Sequence, residues 1–102
     1  MNYKMKVRIT DPKTPKGMFS ELFFDLECKF TYDENQYGNG HYVSIKGKEF
    51  YTQIIDLRYD CSFDRNNKGK WLENWARNYW SGENGSWVIK SLEITQEQNG
   101  RV

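Results

Sequence analysis

The clearest pattern in the chain is the spacing of apolar residues between positions 71 and 80. They recur at i, i+1, i+4, i+5, i+8 and i+9, as Trp71, Leu72, Trp75, Ala76, Tyr79 and Trp80. At about 100° per residue, these positions form one continuous apolar half-cylinder of an α-helix. Because Trp and Tyr rings bury more area than aliphatic side chains, we expect this helix to anchor the core.

A period of two predicts strands in the first third of the chain. Residues 4–10 alternate between apolar and basic or polar side chains, which is typical of a half-buried strand. Residues 11–17 hold both prolines and predict a loop. Residues 18–32 again alternate, so we predict one long strand rather than a helix. Phe23 is the apolar residue on its polar face, and we expect it to be exposed.

The middle of the chain predicts a hairpin. Residues 33–40 are polar and rich in glycine, which indicates a turn. Residues 41–46 and 49–59 read as strands around a turn at Gly47. Ile55, Leu57 and Tyr59 would then share one face of the second strand. A turn at Gly47 also places Ile45 opposite Phe50.

The last third of the chain adds the helix and one more strand. A loop over residues 61–69 leads into the helix, with Asp64, Asn66 or Asn67 as the N-cap. Ser81 and Gly82 would end the helix, residues 87–95 form a strand, and residues 96–102 form a polar tail. The sequence therefore predicts a single α+β domain over residues 1–95. Its order is β-β-β-β-α-β, with a mostly antiparallel sheet of about five strands and the Trp-rich helix on one face.

Charge changes this picture little. The formal net charge of the 102 residues is +1, whereas a dedicated DNA-binding protein is usually strongly basic. The charges are segregated along the chain, since residues 1–20 are basic and residues 21–35 are acidic. If the two segments pair as neighbouring strands, we expect their charges to compensate across the sheet.

The sequence suggests a cytoplasmic protein of a bacterial host. No apolar stretch follows the alternating, lysine-containing first residues, as it would in a leader peptide. No apolar run approaches the roughly 18 residues of a membrane span. Two cysteines fit a reducing compartment.

Three residues are the candidates for a metal site. Cys28, His41 and Cys61 could provide soft ligands for zinc, but no two of them have the spacing of a metal motif. The predicted strand register pairs Tyr32 with His41 and places Cys61 over 20 Å from the histidine at about 3.3 Å per residue. We therefore predict neither a metal site nor a cofactor.

Catalysis is disfavoured by the same geometry. A nucleophile, a base and an orienting group must meet, and the single histidine would have to combine with one of the distant cysteines. No glycine-rich phosphate motif is present, because Gly38-Asn39-Gly40 is too short and is better explained as a turn. We predict that the protein is not an enzyme.

Binding surfaces are the remaining hypothesis. Residues 58–70 combine Tyr59 and Phe63 with four basic residues, Arg58, Arg65, Lys68 and Lys70, before a helix N-terminus. Such a segment could bind single-stranded nucleic acid, although Asp60 and Asp64 interrupt it. Aromatic residues outside the core could instead bind a protein, and here the candidates are Phe23, Tyr37 and Trp87, of which Trp87 is better explained by local packing.

The general character of the sequence indicates a biological setting. The chain is short, aromatic-rich and rich in Asn, Lys and Tyr, with a β-β-β-β-α-β order and no catalytic set. In this respect it resembles small proteins encoded by phages and mobile elements of low-GC Gram-positive bacteria, including anti-CRISPR proteins. The resemblance implies a non-enzymatic inhibitor that binds a host protein or a protein–RNA complex, as a monomer or a homodimer. The alternative is an accessory protein that binds single-stranded nucleic acid.

Overall fold

The computed structural model shows one antiparallel sheet covered on one face by one helix, and it describes residues 2–13, 21–35, 38–82 and 87–97. The elements follow in this order: β1 (Asn2–Thr10), β2 (Glu21–Asn35), β3 (Gly38–Gly47), β4 (Phe50–Asp56), α1 (Lys68–Ser81) and β5 (Val88–Glu97). The sheet order is β4-β3-β2-β1-β5, and every neighbouring pair is antiparallel. The predicted α+β class and element order are confirmed.

The core lies between α1 and one face of the sheet. Alternate residues of β1 are buried, as the period of two predicts, and they meet the buried face of α1. The buried helix residues are Trp71, Leu72, Ala76 and Trp80. Trp75 is only partly buried and Tyr79 is exposed. The apolar half-cylinder of α1 is therefore wider than the surface that the sheet covers.

The β3–β4 hairpin differs from the prediction. Gly47 lies inside β3 and pairs with Phe50, while Ile45 pairs with Gln53 rather than with Phe50. The turn is Lys48-Glu49, and Glu49 takes the positive φ of 60°. Gly47 is required for its lack of a side chain rather than for a turn conformation. A Cβ at this position would lie 2.7 Å from the backbone oxygen of Asp25 on β2.

The end of this hairpin was also predicted wrongly. β4 ends at Asp56 instead of continuing to residue 59. Leu57 is buried as expected, but Tyr59 is exposed and does not share its face. Arg58 and Tyr59 begin the connection to the helix.

Charge compensation across the outer face of the sheet follows the prediction. Lys4 pairs with Glu27, and Lys6 pairs with Asp25 on β2 and with Glu93 on β5. At the ends of the face, Lys4 lies 3.9 Å from Glu97, and Arg8 lies 3.6 Å from Glu21. Basic β1 is thus flanked by acidic side chains on both neighbours.

The structure refines two predicted boundaries in the C-terminal part of the chain, the start of the helix and the end of the last strand. The helix begins at Lys68, with Asn67 as its N-cap, which selects one of the three predicted caps. Strand β5 extends to Glu97, so the predicted start of the tail at Gln96 falls inside a strand. The molecule measures 50 × 35 × 22 Å, a flat shape that two layers explain.

Candidate binding site beside the arm

The β2–β3 pair extends beyond both neighbouring strands. Among the described residues, the last pair of β1 with β2 is Asn2 with Lys29, and the last pair of β4 with β3 is Asp56 with Tyr42, followed by one hydrogen bond from the Leu57 N–H to the His41 oxygen. Residues 30–35 and 38–41 continue as a two-stranded ribbon, which we call the arm. The prediction of a turn over residues 33–40 is therefore wrong in extent, because β2 runs to Asn35 and β3 begins at Gly38. The connection from β4 to α1, residues 57–67, packs against the base of this arm.

Three aspartates shape the 57–67 connection. Each accepts a hydrogen bond from the backbone N–H two residues later: Asp56 from Arg58 at 2.9 Å, Asp60 from Ser62 at 2.8 Å, and Asp64 from Asn66 at 2.9 Å. Backbone turns run from Leu57 to Asp60, from Asp60 to Phe63 and from Asp64 to Asn67. Asp side chains stabilise turns in this way, so the segment has a defined backbone.

Phe63 and Asp60 hold the connection on the core. The Phe63 ring stacks on Phe30 with centroids 6.0 Å apart and contacts the edge of Trp71 at 6.4 Å. The indole N–H of Trp71 donates to Asp60 at 2.8 Å. Hydrogen bonds from Ser62 and then from Trp71 lower the pKa of Asp60 below its usual value, because both stabilise the carboxylate.

A shallow pocket of about 330 Å³ lies between the arm and this connection. Three rings contribute to its lining: Tyr32 from β2, His41 from β3 and Phe63 from the connection. The ring centroids of Tyr32 and His41 are 4.8 Å apart, and those of His41 and Phe63 are 5.4 Å apart. Arg58, Asp60 and Arg65 add charged groups to the same pocket. We call it the arm pocket.

Arg58 makes several side-chain contacts in this pocket. Its Nε lies 3.0 Å and its Nη2 lies 2.8 Å from Asp56 Oδ2, which gives a two-point ion pair. Its guanidinium carbon lies 5.7 Å from the Tyr42 ring centroid and 5.5 Å from that of Tyr59. Its aliphatic stem occupies the space that a Cβ would need at Gly40.

The ion pair also shifts the pKa values of Asp56 and Arg58. Hydrogen bonds from Arg58 lower the pKa of the Asp56 carboxyl, and hydrogen bonds to Asp56 raise the pKa of the Arg58 guanidinium. Because both shifts favour the charged form, Asp56 and Arg58 stay charged around neutral pH.

A second, larger groove of about 740 Å³ runs beside the first turn of α1 and reaches β1 and β5. Arg65, Lys68 and Arg77 line it together with Glu73, whose carboxylate lies 3.2 Å from Arg77. Lys68 lies 5.9 Å from the centroid of the Phe30 ring. We call this surface the helix groove.

The structure divides the residues predicted to bind a partner. Arg58 and Arg65 meet in the arm pocket, and Arg65 and Lys68 meet in the helix groove. Lys70 is exposed but lines neither surface. Phe23 is 55% exposed, as expected, but it pairs with Arg8 far along β2 from the arm. Tyr37 lies outside the described residues.

The three metal candidates have different surroundings. Cys28 is buried on β2, Cys61 is exposed in the connection, and His41 packs against rings. Burial, and then the charge of Glu27, raise the pKa of Cys28 to about 12. Within the described ranges, no group of three His, Cys, Asp or Glu side chains could hold a metal ion.

Sequence reasoning missed the aromatic part of the arm pocket. It treated His41 as a possible ligand and treated Asp60 and Asp64 as interruptions of a basic patch. The recurrence of Asp at positions 56, 60 and 64 was the available signal, because evenly spaced aspartates indicate consecutive turns. The packing of Phe63 on His41 depends on strand register and has no local signature.

Comparisons with known proteins add no relative. No family model matches the sequence, and no curated protein or solved structure matches it. Over the part of the chain that is described, no helix has the length and apolar character to cross a bilayer.

Proposed function

We propose that this chain is a non-enzymatic protein that binds another protein through the arm pocket and its rim. The observation that supports this proposal is an arginine that pairs with Asp56 and lies 5.7 Å and 5.5 Å from the centroids of two tyrosine rings, beside a pocket lined by further rings. Tyr and Arg dominate the residues that contribute most to protein–protein binding. Tyr59, at the rim, is 85% exposed, so its ring is available to a partner.

The restricted side chain of Arg58 favours binding. A long side chain normally loses rotamer freedom when a partner orders it, which costs about 0.5–1.5 kcal/mol. In Arg58 part of that freedom is already restricted by the hydrogen bonds to Asp56 and by the two rings. Among the described residues its Nη1 makes no hydrogen bond, and it has the chemistry to donate to a partner carbonyl or carboxylate.

The finer proposal concerns the partner. We propose an inhibitor encoded by a phage or mobile element, acting in the bacterial cytoplasm on a CRISPR nuclease or another host defence protein. It is supported by the general character of the sequence, which is short, aromatic-rich and nearly neutral. A near-neutral binder would recognise a protein surface or a protein–RNA complex rather than imitate a DNA duplex.

An affinity capture tests the proposal. The tagged protein is incubated with a Gram-positive lysate containing a CRISPR nuclease, with and without nucleic-acid digestion, and the captured proteins are quantified by mass spectrometry. We expect one stoichiometric protein that survives digestion. Tyr59→Ala and Arg65→Ala should reduce its capture at least about tenfold, as expected for hot-spot residues.

The matched control is Tyr51→Ala. Tyr51 is 87% exposed, as open as Tyr59, but it does not line the arm pocket. Its replacement should leave capture unchanged. Equal capture by all variants would refute the assignment of the arm pocket, and the absence of any stoichiometric protein would refute the protein-binding function.

Binding of single-stranded nucleic acid is the second candidate. The rings of Tyr32, His41 and Phe63 lie beside Arg65, which also reaches the cationic helix groove. Bases stack on such rings while cations contact the phosphates. A labelled oligonucleotide should then bind with an affinity that falls steeply with salt. Binding that is lost in Arg65→Ala and Lys68→Ala, but kept in Lys90→Ala on β5, would favour this function.

A further inference from the structure

The sheet has two edges, and they differ in how they are protected. β4 forms one edge and β5 the other. Strand β5 carries Lys90, Glu93 and Glu97, has a bulge opposite Arg8 and Ile9, and packs beside α1. Charges, bulges and covering elements are the usual means of blocking edge-to-edge pairing.

Strand β4 lacks most of this protection. Residues 50–55 contain no charge and no proline, and the irregularity in its pairing lies at its start, opposite Ile45 and Gly47. Ile54, in the regular part of the strand, is 76% exposed on the outer face of the sheet. Among the residues that the structure describes, no strand pairs with the outer side of β4.

One hydrogen bond shows which backbone N–H and C=O groups of β4 point away from β3. The N–H of Leu57 donates to the oxygen of His41 on β3 at 2.8 Å. Backbone groups alternate in direction along an antiparallel strand, so residues 53, 55 and 57 bond to β3. The N–H and C=O groups of Thr52, Ile54 and Asp56 therefore point to the free side.

We propose that β4 pairs in antiparallel orientation with β4 of a second copy, about a two-fold axis through Ile54. In this register Thr52 of one copy lies opposite Asp56 of the other, and Ile54 lies opposite Ile54. All three outward-facing residues then pair with one another, which gives about six main-chain hydrogen bonds. The two sheets join into one continuous sheet.

The charges and side chains fit a second copy of this chain. The axis brings the most exposed aliphatic side chain of the strand against its own copy, which removes both from water. The Asp56 carboxylate faces the Thr52 hydroxyl rather than another acid. Because a two-fold axis makes the interface self-complementary, no second kind of surface is required.

The oligomeric state tests the proposal. Size-exclusion chromatography with light scattering at increasing concentration should show a dimer for the natural chain. Ile54→Lys places two ammonium groups against each other at the axis and should weaken the dimer at least tenfold. Val88→Lys makes the same kind of change on exposed β5 and should leave the dimer intact, while circular dichroism confirms that both variants are folded.

The register has its own test. In a Cys61→Ser background, which removes the exposed thiol, Ile54→Cys should form an intermolecular disulfide on mild oxidation. Opposed residues in a hydrogen-bonded antiparallel pair have Cα atoms about 5.5 Å apart, within the range for a disulfide. Val88→Cys in that background should not crosslink. A monomer at every concentration, or a dimer that Ile54→Lys leaves intact, overturns the proposal.

Discussion

Single residues explain why the connection after β4 has a fixed shape. Asp56, Asp60 and Asp64 each close a turn, and Asp60 alone also accepts the indole N–H of Trp71. This bond joins the connection to the first buried residue of α1. The geometry of the arm pocket therefore depends on a carboxylate that sequence analysis had counted only as an unfavourable charge.

Replacement of Asp60 should measure this contribution. Asp60→Ala removes the partner of a partly buried indole N–H, so we expect the free energy of unfolding to fall by about 1–3 kcal/mol. Asp64→Ala is the control, because it removes a similar turn without a bond to Trp71, and its effect should be smaller. Urea unfolding followed by circular dichroism provides both values. Equal losses would show that the indole bond contributes nothing.

The same carboxylate predicts a pH dependence. The pKa of Asp60 is lowered in the folded chain, so its stabilising contribution is present above the unfolded pKa of about 3.9. It is lost as the pH falls from that value through the folded pKa. Asp60→Ala should therefore have a shallower acid-side decline of unfolding free energy than the natural chain.

At the scale of elements, periodicity predicts the existence and type of each strand and of the helix, but not their register across a turn. The β2–β3 register was predicted correctly, since Tyr32 pairs with His41. The β3–β4 register was wrong, because Gly47 was assigned to the turn on account of its backbone freedom. In the fold Gly47 is needed for space against β2, and Glu49 takes the positive φ instead. The contact joins residues of β2 and β3 that are far apart in the sequence, so it leaves no local signal.

The turn residue offers a direct test of this explanation. A non-glycine residue with positive φ carries a steric cost of about 1–2 kcal/mol, which Glu49→Gly should relieve. Part of that gain is offset by the greater freedom of glycine in the unfolded chain. We expect a net increase of roughly 0.5 kcal/mol in the free energy of unfolding. Lys48→Gly, at the neighbouring turn position, should produce no gain, and equal gains would contradict the assignment of strain to Glu49.

For the whole molecule, charge is distributed so that the uncovered face of the sheet remains nearly neutral. The basic residues of β1 lie between acidic residues of β2 and β5, and the net charge of the chain is +1. This pattern was predictable, because the basic and acidic segments follow each other along the chain. The pairing of β1 with β5 was not predictable, since it depends on where the chain returns to the sheet after α1.

Reversal of one central charge should expose this balance. Lys6 lies between Asp25 and Glu93, so Lys6→Glu places three acids side by side. We expect a loss of about 1 kcal/mol in the free energy of unfolding, largely restored by about 0.5 M NaCl through screening. Lys6→Gln separates the loss of attraction from the added repulsion, and its defect should respond little to salt. A salt-independent defect in Lys6→Glu would contradict the electrostatic explanation.

The concentration of tryptophan at one layer has a practical consequence for studying this protein. Trp71, Trp75 and Trp80 lie on α1, and the fourth, Trp87, donates its backbone N–H to Trp80 at 3.1 Å. Tryptophan fluorescence, excited selectively at wavelengths that tyrosine does not absorb, therefore reports on the layer formed by the helix, while the tyrosines of the sheet do not contribute. A partner that displaces α1 would shift the emission, whereas one that binds only the free edge of β4 would leave the spectrum unchanged. Tryptophan emission can thus distinguish a partner that binds at α1 from one that binds at the edge of β4.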